Sequence, residues 1–209
     1  LTNASLSPTG QRAVFEFRGE IITVPKDKGD ARNLTNSSGI ADRSPVWSPD
    51  GQQIAWFSDE SGEYQLMVGD QEGLSQPKAI KLPNKSFYFK PEWAPDGKHI
   101  AFTDTDYNLW IVNLTSGAAK IADTDRYAHP NRSLNPVWSP DSKWVAYSRL
   151  LDNQFKAIFV YQIETGKKIQ ITDSMADAIT PVWDANGEYL YFLASTNFGL
   201  NTVWLDMSY

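Results

Sequence analysis

One twelve-residue phrase returns five times along this chain, and its spacing constrains the fold more than any single residue does. It reads LSPTGQRAVFEF from Leu6, WSPDGQQIAWFS from Trp47, WAPDGKHIAFTD from Trp93, WSPDSKWVAYSR from Trp138 and WDANGEYLYFLA from Trp183, with starts 41, 46, 45 and 45 residues apart. A fixed period of about 40–50 residues marks stacked units, none of which buries its apolar face alone.

The phrase itself is a β-hairpin. A short run ends in Trp, a Pro-Asp-Gly turn follows, and a run such as Ile54-Ala55-Trp56-Phe57 or Val145-Ala146-Tyr147 comes at hairpin distance. Pro presets φ at the first corner, Asp bonds its own backbone, and Gly takes the positive φ that closes the turn. Ser142 and the stretch Asp184-Ala185-Asn186-Gly187 depart from the phrase conservatively. Runs of β-branched and aromatic residues come next at Tyr64–Val68, Asn108–Val112, Ala157–Tyr161 and Asn201–Leu205, then weaker runs such as Ala79–Leu82 and Lys168–Ile171.

Four antiparallel strands per unit and no helical periodicity predict an all-β chain of β-propeller blades. About five four-stranded blades are expected, at approximately 1–40, 41–86, 87–131, 132–176 and 177–209, the last lacking its outer strand. Pro45, Pro91, Pro136 and Pro181 each sit two residues ahead of Trp on the first strand of a blade. Proline cannot serve a ladder on both sides, so that strand must be an edge. The strand count predicts a partial or open piece of a larger propeller, with self-association through exposed strand edges as one expectation.

Composition excludes several classes of partner. A net charge of −6 and a pI near 4.9 supply no counter-charge for a polyphosphate backbone, so nucleic acid is not expected. No apolar stretch reaches the roughly 20 residues of a membrane-spanning helix, and no membrane insertion is expected. The chain has no cysteine, which removes disulfides and thiolate metal sites and leaves cytoplasm and periplasm both compatible.

The residues offer little chemistry. The two histidines are His99 and His129. His99 shares its repeat position with Arg12, Gln53, Trp144 and Tyr189, which reads as blade surface; His129 reads as a solvated turn residue. No Gly-x-Ser-x-Gly elbow or phosphate loop occurs. The acidic clusters Asp59-Glu60-Ser61-Gly62-Glu63 and Asp104-Thr105-Asp106 lack the alternating oxygens and closing Glu of a calcium loop and read as solvated loops. Trp47, Trp93, Trp138 and Trp183 recur at one repeat position and read as packing between blades. The expectation is no catalytic residue, no cofactor and no metal.

Longer phrases narrow the class. GEIITVPKDKGDARNLTN, RSPVWSPDGQQIAWFSDESGEYQL, AIFVYQIETGKKIQITD and YLYFLASTNFGLNTVWLDMSY resemble the propeller region of bacterial tricorn protease homologues over essentially the whole chain. The Ser-Pro-Asp-Gly hairpin alone is less specific, being shared with the Tol-system periplasmic propeller and prolyl oligopeptidase-like propellers. The resemblance implies most of the second, seven-bladed propeller of a large serine peptidase, which admits peptides to catalytic domains elsewhere. The partners it implies are peptide substrates and the remaining domains of the parent protein; no catalytic Ser or His carries over to this chain. Arg43, Lys90 and Arg132 recur near the start of three successive first strands. As candidate channel-rim contacts they would meet a peptide carboxylate or backbone oxygens, and the plainer alternative pairs them with neighbouring acids. A competing reading is a scaffold propeller that binds a folded protein partner, as in Tol-type systems.

Overall fold

A computed structural model describes residues 2–126 and 134–195, in which every regular element is a strand. The chain falls into two compact units, Leu1–Asp123 and Thr124–Tyr209.

The first unit holds three four-stranded sheets. They run β1 (Thr2–Leu6), β2 (Arg12–Phe17), β3 (Glu20–Pro25), β4 (Arg32–Asn33); then β5 (Arg43–Trp47), β6 (Gln53–Ser58), β7 (Gln65–Asp70), β8 (Lys78–Ile80); then β9 (Tyr88–Trp93), β10 (His99–Asp104), β11 (Asn108–Asn113), β12 (Ala119–Thr124). Each is an antiparallel meander in chain order. The first strands lie side by side, β5 against both β1 and β9. The second unit holds β13 (Val137–Trp138), β14 (Trp144–Leu150), β15 (Lys156–Gln162) and β16 (Lys168–Gln170), then a pair, β17 (Ala178–Trp183) and β18 (Leu190–Ala194). The expected run at 201–205 lies outside the described residues.

The hairpin chemistry is visible atom by atom. Ser48 Oγ donates to Asp50 Oδ1 at 2.6 Å and accepts from Gln53 N at 2.9 Å, while Gln52 N donates to Asp50 Oδ1 at 3.0 Å. Ser139, Asp141, Lys143 and Trp144 repeat the arrangement. Where the phrase has Asp184, its own Oδ1 takes the Tyr189 N–H at 2.8 Å and replaces the serine. The closing position needs φ > 0: Gly51 has φ 70° and Gly187 75°, and Ser142 adopts 59° in glycine's place.

Packing joins the sheets into blades. Trp47, Ile54, Trp56 and Met67 of one sheet bury themselves against Val14, Ile21 and Leu34 of the sheet before it. The opposite face of the same sheet, Ala55, Phe57, Leu66 and Val68, packs on Tyr88, Trp93, Ile100, Phe102 and Trp110 of the next. Alternation along β6 therefore sends successive side chains to two different interfaces, and a fully buried side chain of this size contributes about 1.5–3 kcal/mol. Two of the repeated tryptophans also donate a hydrogen bond backward, whereas Trp93 Nε1 is buried without a partner. Trp47 Nε1 reaches Ser5 O and Trp183 Nε1 reaches Val137 O, each at 3.2 Å, so the residue before the phrase is the acceptor in both cases. This is the architecture of propeller blades, and the prolines stand where it requires: Pro45, Pro91 and Pro181 lie on β5, β9 and β17, all end strands of their sheets.

Candidate functional site

The three basic positions singled out from sequence have different fates. Arg132 lies outside the described residues. Lys90 is exposed on β9 with φ 47°. Arg43, at the start of β5, is half-buried in an aromatic box: its guanidinium carbon lies 3.4 Å from the Phe87 ring centroid, 5.5 Å from Tyr64 and 5.9 Å from Phe89. Its Nη2 donates to Tyr88 O at 3.3 Å, and Nη1 is buried with no hydrogen-bond partner. Ring faces carry negative partial charge, so a stacked guanidinium keeps an electrostatic partner where a hydrogen bond is missing. Arg43 thus ties β5 to β9 through rings and a carbonyl.

The box is made by the lead-in to β9. Phe87 meets Tyr64 edge-on at 5.4 Å and tilts against Phe89 at 5.0 Å. Between them Tyr88 points the other way into the core, stacked on Phe57 at 5.4 Å, with its hydroxyl donating to Asn84 O. Burial, with Asp104 nearby, pushes the Tyr88 phenol up to about 12. The run Phe87-Tyr88-Phe89 was the available sequence signal for the box, but it does not say which cation from another strand arrives there.

Two readings of acidic and histidine residues change. Asp104 is buried: its carboxylate accepts from Trp110 Nε1 at 2.8 Å and from Asn108 Nδ2, Asn108 N and Asp106 N, each at 2.9 Å. It is a turn organiser with its lone pairs occupied, not a solvated acid. Asp42 plays a related part, accepting from Trp56 Nε1 at 3.2 Å and from Ser37 Oγ. His99 is mostly covered, with Nδ1 3.4 Å from Asp96 Oδ2 and Nε2 3.1 Å from Asn113 Nδ2, so its position is less superficial than the repeat suggested. Glu92 stands on β9 where β5, β13 and β17 carry Val46, Val137 and Val182. It keeps accessible surface yet is recessed enough that poor solvation pushes its carboxyl up to about 7.

Among the described residues no group of three His, Cys, Asp or Glu is placed to hold a metal. A groove of about 390 Å³ in the second unit is lined chiefly by Trp144, Val160, Ile169, Trp183 and Leu190. Ser139 and Asp141 at this groove bond to each other within their hairpin and form no nucleophile–base pair.

The blade repeat and its tryptophan clasp narrow the family, and sequence comparison decides it: the family described as tricorn protease second beta propeller domain matches residues 1–208. The chain belongs to the tricorn second-propeller family. The tricorn protease homolog of Saccharolobus solfataricus is 26% identical over 188 residues, covering 89% of this chain and 16% of that protein. The chain therefore spans about a sixth of that relative. The crystal structure of the tricorn protease superposes with a TM-score of 0.76 at 17% identity over 91% of this chain and 19% of the other. A putative TolB from Agrobacterium tumefaciens superposes with a TM-score of 0.63 at 17% identity, covering 95% and 71%. At these identities both structures speak for the fold alone. The tricorn-family propeller thus accounts for the all-β blades, the repeated hairpin and the edge prolines together.

Proposed function

We propose that this chain is a non-catalytic propeller of a tricorn-like serine peptidase that shapes or gates the passage of peptides to an active site in another domain. The observation that carries this reading is the match of residues 1–208 to one propeller of tricorn proteases. The blade ranges given from sequence are retained as part of the proposal.

The rim takes a more specific form than charge alone suggested. Arg43 is held by three rings and the Tyr88 carbonyl, so it sets the shape of the β5–β9 junction. Lys90, exposed on the adjoining first strand, is the cation suited to meet a passing carboxylate or backbone oxygen, and Arg132, which in sequence also precedes a tryptophan phrase, is kept with it as a candidate. Charge reversal of Lys90 and Arg132 to Glu in the whole protein should raise KM for peptides severalfold and leave kcat nearly unchanged. Unchanged peptide turnover in that variant removes the rim from the proposal.

A scaffold role is the second reading, suggested by the Ser-Pro-Asp-Gly hairpin shared with Tol-system propellers. A scaffold should capture a folded partner with the propeller alone, whereas a gate acts only when joined to catalytic domains. Calorimetric titration of the isolated propeller against candidate envelope proteins separates them, since saturable binding there belongs to the scaffold.

A further inference from the structure

Four of the first strands, β1, β5, β9 and β17, share an irregularity that neither reading uses. On β1, Asn3 and Ala4 together stand opposite Phe15; on β5, Ser44 and Pro45 opposite Trp56; on β9, Lys90 and Pro91 opposite Phe102; on β17, Thr180 and Pro181 opposite Phe192. Each is a one-residue bulge. The leading residues have φ 50°, 55°, 47° and 56°. Glycine takes that conformation freely, whereas an L-side chain there costs about 1–2 kcal/mol, and a β-branched Thr180 is a marked outlier. The same strained geometry is nonetheless kept four times with Asn, Ser, Lys and Thr.

Each of these strands ends its sheet, so among the described residues one side of its backbone has no ladder partner there. An edge of that kind is a template on which another extended chain can pair. All of the departures on these edges oppose such pairing. A bulge twists the edge out of register, proline deletes a donor, and a side chain on the left-handed residue adds bulk that glycine would not. Backbone groups here are also taken by side chains. Ser44 N donates to Glu16 Oε2 at 2.9 Å, an oxygen shared with Asn3 Nδ2 at 2.6 Å, and the Tyr88 carbonyl accepts from Arg43 Nη2.

We propose that the first strands are built to refuse an additional strand, so that an extended peptide moving along them is not captured by β-pairing. The refusal follows from the edges themselves; its use in transit rests on the access reading above.

The test replaces Pro45, Pro91 and Pro181 together by Val in the whole protein, after inactivation of its hydrolytic serine with a phosphonofluoridate. The probe is a fluorescein-labelled alternating Thr-Val octapeptide, followed by anisotropy. Restored donors on β-favouring residues should tighten its binding on the order of tenfold over the wild type. A variant with wild-type circular dichroism and melting midpoint that binds no more tightly overturns the proposal. If the valine variant does not fold, the Pro→Ala triple restores the same donors without branched side chains, and absence of any gain there overturns it equally. Peptide turnover by the uninhibited proteins keeps the two ideas apart. Tighter capture with unchanged turnover upholds the refusing edge and removes the access role, while tighter capture with slower turnover at saturating peptide supports both.

Discussion

Gly19 has φ 82°, and a Cβ placed on it would lie 2.6 Å from the Ile40 carbonyl oxygen. Gly19→Ala therefore combines left-handed strain with a backbone collision and should cost about 2–3 kcal/mol, read as a lower urea midpoint at unchanged slope. Charges in the hairpins give a second outcome at this scale. The Ser48 hydroxyl and the Gln52 N–H hold the Asp50 carboxyl below its usual range, and Ser139 with Lys143 N does the same for Asp141. A depressed carboxyl stabilises the fold above the unfolded pKa of roughly 4 and loses that contribution as pH falls through the lower folded value. The Asp50→Asn, Asp141→Asn double variant should thus have a lower melting midpoint at pH 7 and a shallower fall below pH 4; parallel wild-type and variant curves would count against it. Such turn residues were legible because their partners lie within five positions. Asp104 and Arg43 were not: the indole on Asp104 comes from the following strand, and two of the three rings around Arg43, Phe87 and Phe89, from the next blade.

At the level of elements, the tryptophan clasp is the feature to perturb. Trp183→Phe keeps most of the buried ring area and removes only the Nε1–H donated to Val137 O, so it should cost about 1 kcal/mol. Denaturant titration checks this, and Trp183→Ala should cost several times more, because it also opens a cavity. Strand order and hairpins could be read directly from the phrase. The four bulges could not, because a bulge is a difference in count between two strands, and neither strand contains it alone. In three of the four its trace in sequence was a residue before proline three positions ahead of Trp, which sterics push toward extended backbone and which the structure places in the left-handed region instead.

For the whole molecule, the exposed outward face of β17–β18 matters most. Val182, Tyr191 and Leu193 occupy positions equivalent to Val46, Ala55 and Phe57, which pack toward a following blade in the first unit. Here they stand 50%, 62% and 64% exposed. The chain by itself should therefore self-associate with rising concentration, as sedimentation velocity would reveal, and Leu193→Lys should shift it toward monomer; a single monomeric boundary at high loading sinks the expectation. Family membership was legible at this scale because linked phrases extend over the whole length. What the propeller admits was not, since that depends on loops and domains whose geometry no repeat encodes.

The backward reach of the tryptophans also sets an order in time. Trp47 bonds a carbonyl 42 residues earlier and Trp183 one 46 residues earlier. During synthesis at about 5–20 residues per second, the two blades that carry Ser5 and Val137 each wait roughly two to nine seconds for the clasp to leave the ribosome. Those two blades would then lock one blade behind the growing end, each secured by its successor.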